Sequence, residues 1–256
     1  MTQRDGQSEI RAPGTGDVDP LVAVVVPTYN EAENLPVLAR RLFQLKLPNT
    51  RLIVVDDGSP DGTGEVATTL ANEYGERLIL IQRGRKMGLG TAYVDGFSRA
   101  LAEGAQHVVQ MDADLSHSPE NVPELIRRLG EADVVVGSRY VQGGGFDDSW
   151  GLLRRLLSRA GNLGIRAATG VRVRDTTSGF KAFRSRVLAS LDFAKLRSKG
   201  FAFQAEVASA CQRKGYRVVE HPITFDTRSK GQSKMSVGIV LEAIWRLLPL
   251  RWKRSV

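Results

Sequence analysis

The sequence is poor in cysteine, in aromatic residues and in long apolar runs. Its one cysteine, Cys211, excludes a disulfide within the chain and a thiolate zinc site, and is typical of a reducing compartment. Aromatic residues make up 7% of the chain, and no RRM signature or zinc-finger spacing accompanies them, which disfavours a nucleic-acid-binding module. No window holds the ~18 apolar residues that a membrane-spanning helix needs. Residues 1–20 are polar, so we expect a disordered N-terminal tail and no secretory signal.

Positive charge exceeds negative charge in this chain. There are 36 Lys and Arg residues against 28 Asp and Glu, a formal net charge of +8. Such a surplus indicates a polyanionic partner, which is a nucleic acid, an anionic membrane face or a phosphorylated substrate. Because the sequence lacks the motifs of nucleic-acid binding, we expect no nucleic acid partner, and the other two classes are favoured.

Short runs rich in Val and Ile alternate with helical patterns from Leu21 onward. Runs that stay apolar, without alternating polar residues, predict a parallel sheet that helices cover on both faces. We therefore predict an α/β fold, a single domain over residues 21–234 with an open, mainly parallel, Rossmann-like sheet. Asn30 is predicted to cap the first helix, with Glu33 at the third helical position. The predicted strands are LVAVVVP (21–27), RLIVVDD (51–57), RLILIQ (77–82), AQHVVQMD (105–112) and DVVVGS (133–138).

The pattern changes after Gly145. Residues 149–174 contain six arginines and no acid. The predicted elements are, in order, a basic helix over about 151–168, a loop that contains DTTSGFKAF (175–183), a helix near 202–214 and a strand at 217–225. Residues 235–256 predict an apolar helix with a basic end, which either lies at a membrane interface or packs on the domain.

Polar clusters follow the predicted strands at their carboxyl ends, where open parallel sheets bind ligands. Asp112 and Asp114 follow the fourth strand, and residues two apart in an extended stretch point the same way. Two carboxylates so close need a positive charge between them, which a hard divalent cation supplies; taken alone, the pair fits a solvated turn equally well. Asp56, Asp57 and Asp61 would repel a phosphate, but they can accept hydrogen bonds from a base edge or ribose hydroxyls. An Asx/Gly turn is the alternative for that cluster.

Six motifs together resemble a known family. They are PTYNEAENL, VVDDGSPDGT, DADLSHSPE, GSRY, DTTSGFKAF and RSKGQSKM. Their order and spacing resemble those of the family 2 glycosyltransferases, and more narrowly those of the dolichol-phosphate (polyprenol-phosphate) mannosyltransferases. The resemblance covers about residues 21–236. It implies a GT-A fold, GDP-mannose as donor, a divalent metal (Mg²⁺ or Mn²⁺) and a polyprenyl or dolichyl phosphate as acceptor.

The resemblance also implies roles for individual residues. The matches to the grip on the acceptor phosphate are Arg139, Arg154 and Ser158. The matches to the turn that holds metal and diphosphate are Asp112, Ala113 and Asp114, of which Asp114 is also a candidate catalytic residue, as are the three acceptor-grip residues. Ser116 stands where some members have glutamine, and it is a third candidate metal ligand, either directly or through water. The matches to donor-nucleotide-binding positions are Pro27, Tyr29, Glu31, Val55, Asp57, Asp112, Ala113, Asp114, Arg139, Arg228 and Lys234.

The implied reaction is the inverting transfer of mannose from GDP-mannose to a lipid phosphate. A phosphate monoester with a second pKa of ~6 is already a dianion at neutral pH, so we expect no side-chain general base. We expect a cytoplasmic protein that associates peripherally with the cytoplasmic face of a membrane, or with a separate membrane-embedded partner subunit. Two alternatives stay open. One is transfer of another sugar, such as glucose from UDP-glucose, and the other is a non-catalytic sugar-nucleotide-binding or scaffold subunit, which would not need the aspartate pair.

Overall fold

A computed structural model describes residues 19–226 except positions 46, 48, 197 and 199. Almost all of the predicted N-terminal tail, and the whole predicted C-terminal helix, therefore lie outside the described residues. Within them the strands are β1 (Val22–Thr28), β2 (Thr50–Asp56), β3 (Leu78–Gln82), β4 (His107–Gln110), β5 (Val134–Ser138), β6 (Gly145–Phe146), β7 (Lys181–Arg184), β8 (Val218–Pro222) and β9 (Thr224–Phe225). The α-helices of the same residues are α1 (Asn34–Gln44), α2 (Thr63–Tyr74), α3 (Leu89–Ala102), α4 (Val122–Arg128), α5 (Leu152–Thr169), α6 (Ser185–Ser190) and α7 (Phe201–Arg213).

Seven of these strands form one sheet, in the order β3–β2–β1–β4–β7–β5–β8. β7 runs antiparallel to β4 and β5, and every other neighbouring pair is parallel, as predicted. The prediction of a loop through 175–183 is wrong at its end, because β7 fills the space between β4 and β5 and pairs with both. The predicted strand at 217–225 is two strands, because Ile223 leaves the large sheet: its N–H still donates to Ser138 of β5, while its carbonyl accepts the N–H of Gly145 in β6. β9 instead pairs with β6 in a small second sheet.

Helices cover both faces of the large sheet, which explains why its strands are apolar throughout. Ala23 and Val25 of β1 belong to a buried cluster with α3, α6 and α7. Val24 and Val26 belong to a second cluster, with α1, α2 and α4. Successive strand residues therefore meet opposite layers, as predicted from the unbroken apolar runs. Among the described residues, none of the helices is long and apolar enough to cross a bilayer.

The loops after β1 and β2 hold each other through backbone donors and side-chain acceptors. The three bonds run from Asn30 N to Ser59 Oγ at 3.1 Å, from Glu31 N to Thr63 Oγ1 at 2.9 Å and from Ala32 N to Asp61 Oδ2 at 3.2 Å. Asn30 has a φ of 63° and α1 begins only at Asn34. The predicted helix cap at Asn30 is therefore wrong, because the next loop, and not the helix, determines the conformation of this residue.

Candidate functional site

The loops after β1 and β2 place one group of predicted site residues at a common sheet edge. Pro27 and Val55 are direct partners in the parallel register, and both are buried. Tyr29 follows β1 and is half-buried, with Lys86 Nζ lying 3.4 Å from the centre of its ring. Glu31 accepts a hydrogen bond from the side-chain amide of the first residue of α1 at 2.8 Å. An aromatic face and an ammonium group thus lie together beside the ends of the first two strands.

Asp57 is buried, and protein groups occupy both of its carboxylate oxygens. Oδ1 accepts the N–H of Met87 at 2.7 Å, and Oδ2 accepts that of Gly88 at 2.8 Å. Arg83 Nη1 lies 3.2 Å from Oδ1 and balances the negative charge. Asp57 therefore holds the loop that leads into α3. Direct contact of this carboxylate with a nucleotide stays a prediction.

Asp112 lies between a phenol and a glycine just beyond β4. Its Oδ1 accepts the hydroxyl of Tyr93 at 2.8 Å, and Tyr93 is fully buried against Phe203. Burial, reinforced by the negative charge of Asp112, raises the pKa of Tyr93, so the phenol stays a donor. Gly179 lies so close that a Cβ there would be 2.6 Å from Oδ2. The Asp112 side chain is nevertheless 25% exposed, and a ligand can reach it.

Asp114 is held by the tight turn that follows it. Leu115 has a φ of 61°, in the left-handed region that residues with a Cβ seldom adopt. Ser116 donates to Oδ1 of Asp114 twice, from its N–H at 3.1 Å and from its hydroxyl at 2.5 Å. Ser116 is fully buried, and its hydroxyl serves to orient this carboxylate. Its predicted contact with a metal stays a prediction.

The aspartate pair suits a divalent ion that shares its coordination with a substrate. Carboxylate oxygens are the hard ligands that Mg²⁺ and Mn²⁺ prefer. Among the described residues, no group of three or more His, Cys, Asp or Glu side chains is arranged to hold a metal by itself. Mg²⁺ is commonly bound by one or two carboxylates and completed by substrate phosphates. The donor set therefore fits a metal that a diphosphate completes.

Arg139 is a buried cation just after β5. Its Nε and Nη2 both donate to Asp175 at 2.7 Å, and its backbone N–H donates to the same carboxylate at 3.0 Å. Nη2 also donates to Thr177 at 2.8 Å. Burial alone would raise the pKa of Asp175, but the guanidinium lowers it below its usual range, and the carboxylate in turn raises the pKa of Arg139. Both groups are therefore charged, and the two-pronged contact fixes the guanidinium plane.

His117 is a neighbour of Asp112 and contacts the same aromatic ring as Arg139. Its Nδ1 is 3.8 Å from Asp112 Oδ2, and its ring centre is 5.1 Å from that of Phe225. The Arg139 guanidinium is 5.0 Å from the same Phe225 ring. Burial lowers the pKa of His117, so its imidazole is neutral at pH 7. The structure thus brings Asp112 and Arg139, predicted from separate motifs, to one site.

α5 carries the remaining two predicted residues, which have different surroundings. Ser158 is buried, and its hydroxyl is 2.7 Å from that of Tyr140, the neighbour of Arg139. Arg154 lies one turn earlier and is exposed, with its guanidinium 3.7 Å from the ring centre of Trp150. The structure therefore brings Ser158 to the site, whereas Arg154 stacks on an aromatic ring at the start of the helix.

Three residues at this site have no role in the sequence prediction. Tyr93 falls in the helical apolar pattern of α3, where nothing marks its hydroxyl as a partner for Asp112. Asp175 and Gly179 belong to DTTSGFKAF, which the sequence marks as a motif without assigning roles to either residue. Arg228 and Lys234, which the resemblance predicts to bind the donor nucleotide, lie outside the described residues.

Comparison with known proteins identifies relatives over most of the chain. A model of the family "Glycosyl transferase family 2" matches residues 23–191. An undecaprenyl-phosphate mannosyltransferase of Micrococcus luteus is 42% identical over 236 residues, which is 91% of this chain and 96% of the relative. A polyprenol monophosphomannose synthase of Mycolicibacterium smegmatis is 42% identical over 225 residues, 88% of this chain and 84% of the relative.

Solved structures share the fold at lower identity. Glucosyl-3-phosphoglycerate synthase from Mycobacterium tuberculosis, in complex with Mn²⁺, UDP and phosphoglyceric acid, superposes with a TM-score of 0.66 at 19% identity over 96% of this chain and 86% of that one. Its complex with Mn²⁺, UDP and glucosyl-3-phosphoglycerate superposes with a TM-score of 0.63 at 18% identity, over 99% and 86% of the two chains. The predicted α/β fold of the GT-A type is confirmed.

Proposed function

The chain belongs to glycosyltransferase family 2, and from that premise we propose that it transfers mannose from GDP-mannose to a polyprenyl phosphate, with inversion and with a divalent metal. The relatives that are 42% identical carry names that specify mannose and a polyprenyl phosphate. Mn²⁺ accompanies a nucleoside diphosphate in the structural neighbours, in agreement with a metal bound through carboxylates.

One observation carries the proposal: two carboxylates and a buried guanidinium meet at the same sheet edge. A sugar nucleotide and a lipid phosphate bring several negative charges together. Acidic residues alone would repel them, and a basic site alone would not hold a metal. Asp112 and Asp114 supply the carboxylates, and Arg139, which contacts the same Phe225 ring as His117, supplies the positive charge. A binding or scaffold subunit would have no need of this combination.

Different residues of the site have different roles in the proposed reaction. Asp112 and Asp114 would hold a divalent ion, which would supply positive charge to offset that of the departing diphosphate. Asp175 and Thr177 hold Nε and Nη2 of Arg139, and we assign its Nη1 edge to the acceptor phosphate. An oxygen of that phosphate attacks C1 of mannose as the bond from C1 to the donor β-phosphate breaks, and GDP leaves. The acceptor dianion needs no base, so its position and the balance of charge dominate catalysis.

The donor and the metal are tested in one assay. Purified protein is incubated with a polyprenyl phosphate and with labelled GDP-mannose, UDP-glucose or GDP-glucose, with and without EDTA. We expect a labelled mannolipid from GDP-mannose alone, its loss in EDTA and its return when Mg²⁺ or Mn²⁺ is added in excess. Transfer from UDP-glucose alone would replace the proposed donor, and full activity in EDTA would exclude the metal.

The aspartate turn is tested with a matched pair of variants. Asp114→Asn removes one charge without changing shape, and we expect turnover to fall by roughly 10²–10³, as for other removals of electrostatic stabilisation. Glu124→Gln is the control, because it removes a carboxylate from an exposed ion pair on α4. Its turnover should stay close to that of the wild type. Equal activity in the two variants would refute the assignment of Asp114.

A further inference from the structure

Exposed leucines are concentrated on one helix. Among the described residues, seven large apolar side chains are exposed, and five of them are leucines of α5. The exposed fractions are 74% for Leu152, 72% for Leu153, 52% for Leu156, 50% for Leu157 and 62% for Leu163. Scattered exposed apolar residues need no explanation, but a cluster on one element marks an interaction surface.

The five leucines share the outward face of α5. At 100° per residue they fall within an arc of about 140°, and the positions between them on that arc are Ala160, Gly164 and Ala167. The opposite arc is buried against the domain and contains Ser158, Gly161, Asn162, Ile165 and Ala168. Three arginines, at 155, 159 and 166, lie along one border of the outward arc. The leucines run from Leu152 to Leu163, so this apolar face extends for ~17 Å along the helix axis.

Charge decides which occupant fits this face. Residues 149–174 contain no acid, so a second copy of α5 would bring arginines against arginines. The apolar segment 235–250 of the same chain is followed by Arg-Trp-Lys-Arg at 251–254. These residues are positively charged, as α5 is, so the charge of this segment does not complement that of the helix. An anionic bilayer surface complements both features, because its acyl region accepts leucines and its headgroups accept arginines.

We propose that the outward face of α5 lies in the surface of an anionic lipid bilayer. The buried side of the same helix carries Ser158, whose hydroxyl bonds Tyr140 beside Arg139. A helix seated in the headgroup layer therefore places the phosphate site next to the lipid surface. The choice of a lipid surface rests on the proposed function only in that the acceptor is a lipid.

Vesicle binding of the full-length chain tests this surface. Phosphatidylcholine vesicles with and without phosphatidylglycerol are sedimented with wild type, with Leu152→Ser combined with Leu156→Ser, and with Leu153→Ser combined with Leu157→Ser. We expect binding of the wild type to vesicles with phosphatidylglycerol, and a loss of at least about tenfold in each double variant. Val37→Ser, which removes an exposed aliphatic group from α1, should bind as the wild type does. Arg159→Gln should weaken binding only to the anionic vesicles.

A fluorescent probe distinguishes a bilayer from the other occupants. Cys211 is buried and is the chain's one cysteine, so Leu156→Cys can be labelled selectively with an environment-sensitive dye. We expect a blue shift of its emission on addition of anionic vesicles, and none for a dye at Thr69→Cys on α2. A blue-shifted dye before vesicles are added would overturn the proposal in favour of the C-terminal segment or a second copy. Unchanged vesicle binding of the leucine variants, or no binding by the wild type, would also overturn it.

Transfer assays separate this inference from the proposed function. The leucine variants should keep wild-type transfer to a short, water-soluble prenyl phosphate and lose transfer to a long polyprenyl phosphate held in vesicles. If the wild type transfers mannose to neither acceptor, the proposed function fails, while the vesicle result still decides the role of α5. Equal losses with both acceptors would refute the proposal, because they would indicate a damaged site.

Discussion

At the scale of single residues, Arg139 and Asp175 form the buried ion pair of the site. Side-chain exposure is 8% for the arginine and 0% for the aspartate. Three hydrogen bonds from Arg139 converge on the one carboxylate, which offsets the cost of burying both charges. The pair thus holds in place the guanidinium that we propose for the acceptor phosphate, and replacing Asp175 tests this arrangement.

Asp175→Asn should destabilise the protein and reduce its activity together. Breaking a buried ion pair by removing one partner costs about 3–5 kcal/mol, because a charge remains buried without compensation. Urea unfolding would measure this, with Glu124→Gln changing the unfolding free energy by no more than ~0.5 kcal/mol at its exposed pair. The kcat of Asp175→Asn should fall as well, since Arg139 loses its orientation. A loss below ~1 kcal/mol would contradict this account of the pair.

Lys181 is a second buried cation, and it belongs to a polar network behind the aspartate turn. Its ammonium donates to the carbonyl of Ser178 and, at 2.7 Å, to Oε1 of Gln204. Gln110 donates to the same Oε1 at 2.5 Å and to the carbonyl of Gly179 at 3.1 Å. The network ties the segment before β7 to β4 and α7. Burial lowers the pKa of Lys181 to about 7.

Lys181 should make stability depend on pH above neutrality. Its pKa is about 7 in the folded chain against the ordinary 10.5 when unfolded. Between these values the unfolded chain binds more protons, so the unfolding free energy rises with pH by up to ~5 kcal/mol, and that gain is lost as pH falls through 7. Urea unfolding from pH 6.5 to 9 should therefore show a steeper increase for the wild type than for Lys181→Met. Parallel pH profiles would refute this assignment.

At the scale of elements, β7 does more than complete the sheet. Because it runs antiparallel between β4 and β5, the segment that leads into it crosses the carboxyl ends of both neighbours. Asp175 thereby reaches Arg139 after β5, and Gly179 reaches Asp112 after β4. The segment just before this short strand thus carries both supports of the site, and its approach to Asp112 requires the absence of a side chain at 179.

Gly179→Ala should disturb the aspartate turn with little effect on the fold. The new Cβ would lie 2.6 Å from Oδ2 and 2.8 Å from Oδ1 of Asp112, so the carboxylate must move. Changes to groups that orient a metal ligand commonly weaken metal affinity about 10–100-fold. Titration of Mn²⁺ in the presence of GDP would measure the loss. Gly151→Ala, where nothing lies within 4 Å of the added carbon, is the control, and equal Mn²⁺ affinities in the two variants would contradict the prediction.

At the scale of the whole molecule, one sheet joins the two buried clusters. Each strand of the parallel part contributes alternate residues to both clusters. Each cluster is therefore formed jointly by the sheet and by the helices on one of its faces. The site lies at the end of this shared sheet. A ligand that binds there therefore stabilises the whole domain against unfolding, by an amount set by its concentration relative to its Kd.

GDP with Mn²⁺ should raise the melting temperature of the protein, because binding at the proposed donor site stabilises the folded state. At a hundredfold excess over its Kd, a ligand adds ~2.7 kcal/mol, which corresponds to roughly 5–10 °C for a domain of this size. Differential scanning fluorimetry would compare GDP with UDP, each with Mn²⁺ or EDTA. We expect the largest increase with GDP and Mn²⁺ and almost none in EDTA. An equal increase with UDP would remove the proposed preference for guanine.

Local patterns were sufficient to predict the parallel strands of the large sheet and the polar turn after β4, because apolar periodicity and strand ends depend on neighbours in the chain. They failed where a distant loop supplies the partner. Asn30 has the side chain of a helix cap, yet its N–H bonds Ser59 in the next loop. The motif that contains Lys181 lacks an apolar run, so its β-strand was missed; burial of that lysine depends on Gln204, far along the chain.

The sequence by itself determined the α/β class and the sheet edge at which the predicted site residues gather, since each of these follows from residues a few positions apart. Tertiary structure alone decided that Asp175 holds Arg139, that Gly179 lies against Asp112 and that the leucines of α5 face outward. An amphipathic period specifies that a helix has two faces, but only packing decides which face the domain buries.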